Sequence, residues 1–175
     1  GIATVDIAAD VAADAATNLN TVAAQFNTTY DATRPTVTIT SPVANPTNTS
    51  FTTTFTFSED VTDFVIGDIT LSNAKASNFT TTSSSVYTAL ITSIADGIAT
   101  VDIAADVAAD AATNGNTVAA QFSTTYDATP PSAPQVLSID SYTCAEDLTT
   151  TADKTLVFNG SAEPATKIEV FVNTI

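Results

Sequence analysis

The chain has 175 residues, of which 44% are hydrophobic, enough to bury the core of one average domain or nearly two smaller ones. Nineteen acidic residues against four basic ones give a formal net charge of −15, which excludes nucleic acids and anionic lipids as partners because like charges repel. The chain has no histidine and one cysteine, Cys144, so it lacks the groups that nucleophilic catalysis, a transition-metal site or an intrachain disulfide needs. We therefore expect no enzyme.

The residue types favour strands. The apolar residues are mainly Ala, Val, Ile and Phe, and the polar ones are mainly Thr, Ser, Asn and Asp. Threonine and the β-branched aliphatic residues favour strands, whereas Asn and Asp favour turns. The composition predicts an all-β protein.

Residues 1–33 recur almost unchanged at residues 97–129, which sets a period of 96 residues. The two copies differ only where Leu19 is replaced by Gly115 and Asn27 by Ser123. A fixed period indicates a tandem array, and about 100 residues is the size of one immunoglobulin-like β-sandwich. Each period is therefore predicted to be one whole domain.

One full period, residues 34–129, contains seven candidate strands. In residues 51–57, FTTTFTF, three Phe side chains alternate with Thr, which places them on one face of a strand. The other candidates are short apolar or alternating stretches separated by Ser, Asn, Asp and Gly. The seven are residues 36–40, 51–57, 64–71 with an interruption at Gly67-Asp68, 76–80, 86–94, 98–104 and 117–125.

Proline marks the predicted domain boundaries. Arg34-Pro35 and Pro130-Pro131 follow equivalent Tyr-Asp-Ala-Thr segments, and proline stiffens the exit from a strand. We predict three pieces. Residues 1–33 are the C-terminal strands F and G of one domain, residues 34–129 are a complete domain, and residues 130–175 are the N-terminal strands of a further Ig-like domain of a different subtype. Within the last piece, residues 155–173 are predicted to form two strands around a Glu-Pro turn.

The central period carries motifs at residues 35–40, 46–48, 57–61, 68–73, 97–103 and 110–116. These motifs are similar to those of bacterial Ig-like repeats in large secreted surface adhesins. Residues 159–173, with GSAEP before an alternating stretch, resemble a second type of bacterial Ig-like repeat. The resemblance implies tandem immunoglobulin-like Greek-key β-sandwich domains, one complete and two partial, in a secreted protein of the bacterial cell surface.

Acidic side chains are expected to meet where one domain joins the next. In such a sandwich the B–C and F–G loops lie at the end where strand A enters, beside the preceding linker. Grouped carboxylates repel one another unless they are neutralised, and Ca²⁺ prefers oxygen ligands. The alternative is that these residues simply form solvated turns, since their spacing does not match an EF-hand loop. The candidate metal ligands are Asp31, Glu59, Asp60, Asp106, Asp110 and Asp127, with Asp63, Asn114 and Asn116 nearby and Glu163 beside Asp127 at the next junction.

We expect the chain to be a structural stalk or spacer of a large bacterial cell-surface adhesin, with Ca²⁺ at its domain junctions. Nearly identical copies favour this role, because a spacer needs length more than individuality. Its expected partners are the neighbouring Ig-like domains of the same chain, or other copies of itself, and direct insertion into a membrane is not expected. Two alternatives stay open. The repeats could assemble into an extracellular filament or sheath, or they could be appendage domains of a secreted enzyme.

Overall fold

A computed structural model describes residues 1–140 and 157–169. The chain divides into two compact units, Gly1–Ala128 and Thr129–Ile175. Regular structure in the described residues is almost entirely strand, which confirms the all-β prediction. The strands of the first unit are β1 (Ile2–Val5), β2 (Phe26–Thr29), β3 (Val37–Thr40), β4 (Phe51–Phe57), β5 (Ile69–Ser72), β6 (Ala74–Ser83), β7 (Val86–Ser93), β8 (Gly97–Ile103) and β9 (Phe122–Tyr126).

The strands from β3 to β9 form a two-sheet sandwich. One sheet has the order β3-β4-β7-β6 and the other has the order β5-β8-β9, with antiparallel neighbours throughout. In strand letters these orders are A-B-E-D and C-F-G, the constant-type immunoglobulin arrangement. The predicted sandwich fold is confirmed.

Apolar side chains from both sheets fill the space between them. Phe55 and Ile91 come from one sheet and Val101 and Ile103 from the other, and all four are almost completely buried. The ring of Phe64 packs edge-on against several other aromatic rings at centroid distances of 5.1–5.7 Å. Each such side chain removed from water stabilises the fold by about 1.5–3 kcal/mol.

Two predicted strands begin five residues later in the structure, at Ile69 and Phe122, and the strand predicted over 76–80 extends over Ala74–Ser83. The other bounds differ from the prediction by at most one residue. Residues 64–68 are not a strand, because Ile66–Asp68 forms a 3-10 turn in which the Asp68 carboxylate accepts the N–H of Val65 at 2.8 Å. Residues 117–121 are not a strand either, since the N–H of Thr117 donates to Pro35 O and that of Ala119 to Ile103 O. The affected strands, β5 and β9, therefore begin later than predicted.

The loop after β3 forms a parallel contact with the last strand of the sandwich. The N–H of Thr47 donates to Thr125 O, and the N–H of Asp127 donates to Thr47 O, both at 2.9 Å. The Asn45 side chain also accepts the N–H of Thr125. These bonds join the beginning of the domain to its final strand.

The two copies of the repeated segment form the same hairpin. In the first hairpin, residues 1–30, β1 pairs with β2 so that Ile2 faces Thr29 and Val5 faces Phe26. In the second hairpin, residues 97–126, β8 pairs with β9 at the equivalent positions. The second hairpin forms two of the three strands of one sheet of the sandwich, whereas the apolar side chains of the first are exposed.

The second unit contains β10 (Gln135–Asp140) and β11 (Val157–Ser161), which pair antiparallel. A turn follows at Pro164-Ala165, as predicted. Residues 166–169 are not in a strand, and Cys144 and residues 170–173 lie outside the described residues. The Glu163 side chain accepts the N–H of Ser132 at 2.9 Å, and this bond lowers the pKa of Glu163.

Candidate functional site

Two side chains shape the FG loop, residues 104–121. Asn116 is fully buried, its Oδ1 accepts the N–H groups of Val107 and Ala108, and its Nδ2 donates to the carbonyls of Ala104 and Thr117. A second side chain, Asp110, accepts the N–H groups of Ala112 and Asn114 at Oδ1 and the Asn114 Nδ2 at Oδ2. The loop is therefore held by side-chain bonds to its own backbone.

The first hairpin builds the same loop without any sandwich around it. Asn20 bonds to four backbone groups of its loop as Asn116 does, and Asp14 accepts bonds from Ala16 and Asn18 as Asp110 does from its own neighbours. The same side-chain bonds therefore shape the loop in both copies.

The linker, residues 31–35, lies against this loop. The Asn114 Nδ2 donates to the carbonyl of Asp31 at 3.2 Å, and the N–H of Thr117 donates to that of Pro35 at 2.8 Å. Pro35 itself is fully buried. We call this end of the sandwich the linker end.

Arg34 makes three polar contacts between the linker and the FG loop. Its Nε donates to Gly115 O at 2.7 Å, and its Nη2 donates to Asn116 O at 2.9 Å and forms an ion pair with Asp106. A Cβ atom at Gly115 would overlap the Asp106 carboxylate, so the glycine leaves the space in which that carboxylate meets Arg34. The first copy has Leu19 at this position.

Three carboxylates meet beside this contact. Asp31, Glu59 and Asp110 each offer an oxygen, and these oxygens lie within 4.8 Å of one another. We call them the acidic cluster. Partial burial of the Glu59 carboxyl group, together with the negative charges of Asp110 and Asp31, raises the pKa of Glu59. The hydrogen bonds from Asn114 and Ala112 instead lower the pKa of Asp110.

The other predicted ligands lie in different surroundings. Asp60 lines the same cleft as the acidic cluster, together with Thr29. Asp106 belongs to the Arg34 ion pair, and Asp127 lies beside the Thr47 loop. Sequence reasoning missed the role of Arg34. Its only signals were that Arg34 and Gly115 replace the Pro130 and Leu19 of the other copies.

A family model described as bacterial Ig-like domain matches residues 31–128. The chain belongs to the bacterial Ig-like domain family. No curated protein and no solved structure matches the chain. The matched Ig-like domain begins at Asp31, so it includes the linker, and ends at Ala128 after β9.

Bacterial Ig-like domains are structural or surface domains, typically non-catalytic and often extracellular. In the described residues, no helix is long and apolar enough to cross a membrane. The linker end of this Ig-like domain therefore offers two kinds of chemistry. Arg34 ties the linker to the FG loop, and the acidic cluster presents hard oxygen atoms toward one cleft.

Proposed function

We propose that this chain is a stalk segment of a large bacterial cell-surface adhesin, in which Ig-like domains follow one another as spacers. The observation that carries the proposal is the attachment of the linker to the domain that follows it. Asp31, Arg34 and Pro35 all bond to the FG loop. A spacer must resist bending at its junctions, and a linker held in this way has few backbone angles left to vary.

The linker attachment can be tested by ¹⁵N relaxation on the full chain. We expect backbone order parameters of about 0.85 for residues 31–34, as in the strands of the sandwich. The Arg34→Ala chain should lose order in the linker and keep it in β8 and β9. Order parameters below about 0.6 in the unmodified linker would contradict the spacer role, because they describe a flexible joint.

We also propose that the acidic cluster binds Ca²⁺ at this junction. Asp31, Glu59 and Asp110 supply carboxylate oxygens, which Ca²⁺ prefers. The Oδ2 of Asp110 accepts only one of the hydrogen bonds described above, and a carboxylate oxygen has two lone pairs. The ion would neutralise the repulsion within the cluster and join Asp31 of the linker to Glu59 and Asp110 of the domain.

Calcium binding is tested by thermal unfolding of the full chain in EDTA and in about 10 mM Ca²⁺. For extracellular modules with a Kd of about 10⁻⁴–10⁻³ M, we expect the midpoint to rise by about 5–15 °C. Glu59→Gln should remove the rise, because it removes one charged ligand. Asp14→Asn is the matched control, since Asp14 is the first-copy equivalent of Asp110 and joins no group of three acids in the described residues. An equal rise in both variants, or no rise in the unmodified chain, would exclude calcium at this cluster.

A further inference from the structure

We infer that Asn114 is a site of spontaneous covalent modification, at which loss of the side-chain amide releases the linker from the FG loop. The nucleophile is the backbone nitrogen of Gly115, and water is the only other reactant. The inference goes beyond the spacer role, because it assigns a modification site and describes how the junction changes once that site has reacted.

The reaction is the cyclisation of an asparagine onto the next backbone nitrogen. The nitrogen of Gly115 gives up its proton to solvent and forms a bond with Asn114 Cγ, and the Cγ–Nδ2 bond breaks. The Nδ2 group takes a proton from solvent and leaves as ammonia, which completes a five-membered succinimide. Water then opens the ring at either carbonyl, so the product is aspartate or isoaspartate. The attack is intramolecular, which favours it because the two groups are already held together.

The residue after Asn114 favours the attack because it is a glycine. Glycine has no side chain to obstruct the nitrogen, and it adopts more backbone conformations than any other residue. Asn114 and Gly115 are both half-buried, so water reaches them. In the described residues, the N–H of Gly115 donates to no acceptor, although the carbonyl of Gly115 accepts Arg34. The attacking nitrogen therefore has no hydrogen bond to give up.

The first hairpin contains a matched site without the glycine. Asn18 occupies the position of Asn114, and its Nδ2 donates to a loop carboxylate at 3.0 Å, against 2.9 Å in the second copy. The next residue is Leu19, whose branched side chain crowds the nitrogen. Both asparagine side chains must leave their carboxylate before the ring can close. The residue that follows therefore decides which asparagine reacts faster.

The amide that leaves is the one that joins the linker to the loop. The Nδ2 of Asn114 donates to Asp31 O at 3.2 Å and to Asp110 Oδ2 at 2.9 Å. After the reaction the side chain ends in a carboxylate, which has no proton to donate to either acceptor. Its negative charge also lies beside the acidic cluster, which repels it. Asp31 therefore loses its hydrogen bond to the FG loop.

The isoaspartate product disturbs a second contact. Its main chain passes through Cβ and Cγ, which lengthens the backbone immediately before Gly115 by one carbon. The carbonyl oxygen of Gly115 accepts Arg34 Nε at 2.7 Å, and the added carbon displaces it. The linker then loses contacts at both Asp31 and Arg34.

The reaction is tested by incubating the full chain at mildly alkaline pH in EDTA. Peptide mapping by mass spectrometry measures the converted fraction of each asparagine, and it separates Asn114 from Asn159, which also precedes a glycine. We expect Asn114 to react at least about tenfold faster than Asn18. Leu19→Gly is the matched variant and should raise the rate of Asn18 to that of Asn114 or above, since Asn18 is exposed.

The release of the linker is measured by ¹⁵N relaxation. We expect the backbone order parameters of residues 31–33 to fall below about 0.6 in the reacted chain, while those of β8 and β9 stay as they were. Asn114→Asp reproduces the aspartate product alone. It should lower the linker order parameters by a smaller amount, because the contacts of Arg34 remain.

Two results would overturn the inference. The first is an Asn114 that reacts no faster than Asn18, since the bonds of the FG loop would then hold its side chain in place. The second is complete conversion of Asn114 with unchanged order parameters in the linker. Low order parameters in the chain before incubation would contradict the spacer role as well as the release, so the measurement on the fresh chain distinguishes the two failures.

Discussion

The guanidinium group of Arg34 donates from Nε to the carbonyl oxygen of Gly115 at 2.7 Å, which attaches the linker to the last loop of the domain that it precedes. The same group pairs with Asp106, whose carboxylate occupies space that a side chain at residue 115 would fill. Arg34 and Gly115 therefore act as a matched pair, and the difference between Gly115 and Leu19 has a structural meaning.

Arg34→Ala should lower the free energy of unfolding of the sandwich by about 0.5–1.5 kcal/mol, because it removes a partly exposed ion pair and two bonds to carbonyls. Gly115→Leu should have a similar effect, since its Cβ would displace the Asp106 carboxylate. Denaturant unfolding of the two single variants and the double variant measures the coupling. The double variant should lose less than the sum of the two. Leu19→Gly is the control and should change nothing at Arg34, whereas full additivity of Arg34→Ala and Gly115→Leu would contradict the pairing.

Asn116→Ala should cost about 2–4 kcal/mol of stability, because four backbone groups of the FG loop lose their partner inside a buried site. Asn20→Ala removes the same four bonds from the exposed loop of the first hairpin, so the sandwich should unfold with an unchanged midpoint. Chemical denaturation followed by near-ultraviolet circular dichroism compares the two. A loss of sandwich stability in Asn20→Ala as large as that in Asn116→Ala would contradict this expectation, because it would mean that the loop of the first hairpin also stabilises the sandwich.

Val101→Ala should destabilise the sandwich by about 2 kcal/mol, because Val101 is fully buried between the sheets. Val5→Ala makes the same chemical change at the equivalent position of the first hairpin, where 59% of the residue is exposed. Its effect in the 175-residue chain should stay within about 0.5 kcal/mol. Urea unfolding curves of the two variants provide the comparison, and a loss as large for Val5→Ala would show that its face is covered in this chain.

The acidic cluster predicts opposite pH dependences for two of its members. The pKa of Glu59 is raised in the folded state. The contribution of the Glu59 side chain to the free energy of unfolding is therefore fully present below pH 4.5 and is lost as the pH rises through the folded-state pKa. Glu59→Gln should therefore become more stable than the unmodified chain as the pH rises toward 7 in EDTA.

The pKa of Asp110 is lowered in the folded state. The contribution of the Asp110 side chain to the free energy of unfolding is therefore present above pH 3.8 and is lost as the pH falls through the folded-state pKa. Asp110→Asn should therefore be the less stable chain at pH 7 and approach the unmodified chain in acid. Midpoints measured in EDTA between pH 3 and 7 test both signs. Because the unmodified chain is the reference in each case, the general loss of charge repulsion in acid cancels. Parallel curves for Glu59→Gln and the unmodified chain would show that neither burial nor the charges of Asp110 and Asp31 raise the pKa of Glu59.

Much of the fold could be predicted from sequence because it depends on alternation and repetition. The FTTTFTF stretch alternates in the structure as expected, with four of its residues buried, and β4 has the predicted bounds. The proximity of Asp31, Glu59 and Asp110 could also be predicted, because the loops at one end of a sandwich lie close together.

Contacts that depend on one side chain reaching another could not be predicted in this way. The Asp106 carboxylate meets Arg34, which lies 72 residues earlier, and no local pattern marks that pair. The late start of β5 likewise depends on the Asp68 side chain bonding to Val65, which competes with strand geometry. Both outcomes rest on individual hydrogen bonds, whereas periodicity reports only which face of a strand is buried.

The parallel contact between the Thr47 loop and the final strand has a mechanical consequence. Tension on a stalk would pull residue 35 and residue 127 toward opposite ends of the sandwich. The segments around Thr47 and Thr125 are parallel, so tension would slide one segment along the other. The hydrogen bonds between the two segments would then be loaded at the same time. Strands peeled apart from one end would instead lose their bonds one at a time. The backbone bonds at Thr47 are thus oriented to be loaded in shear when the domain is pulled from its two ends.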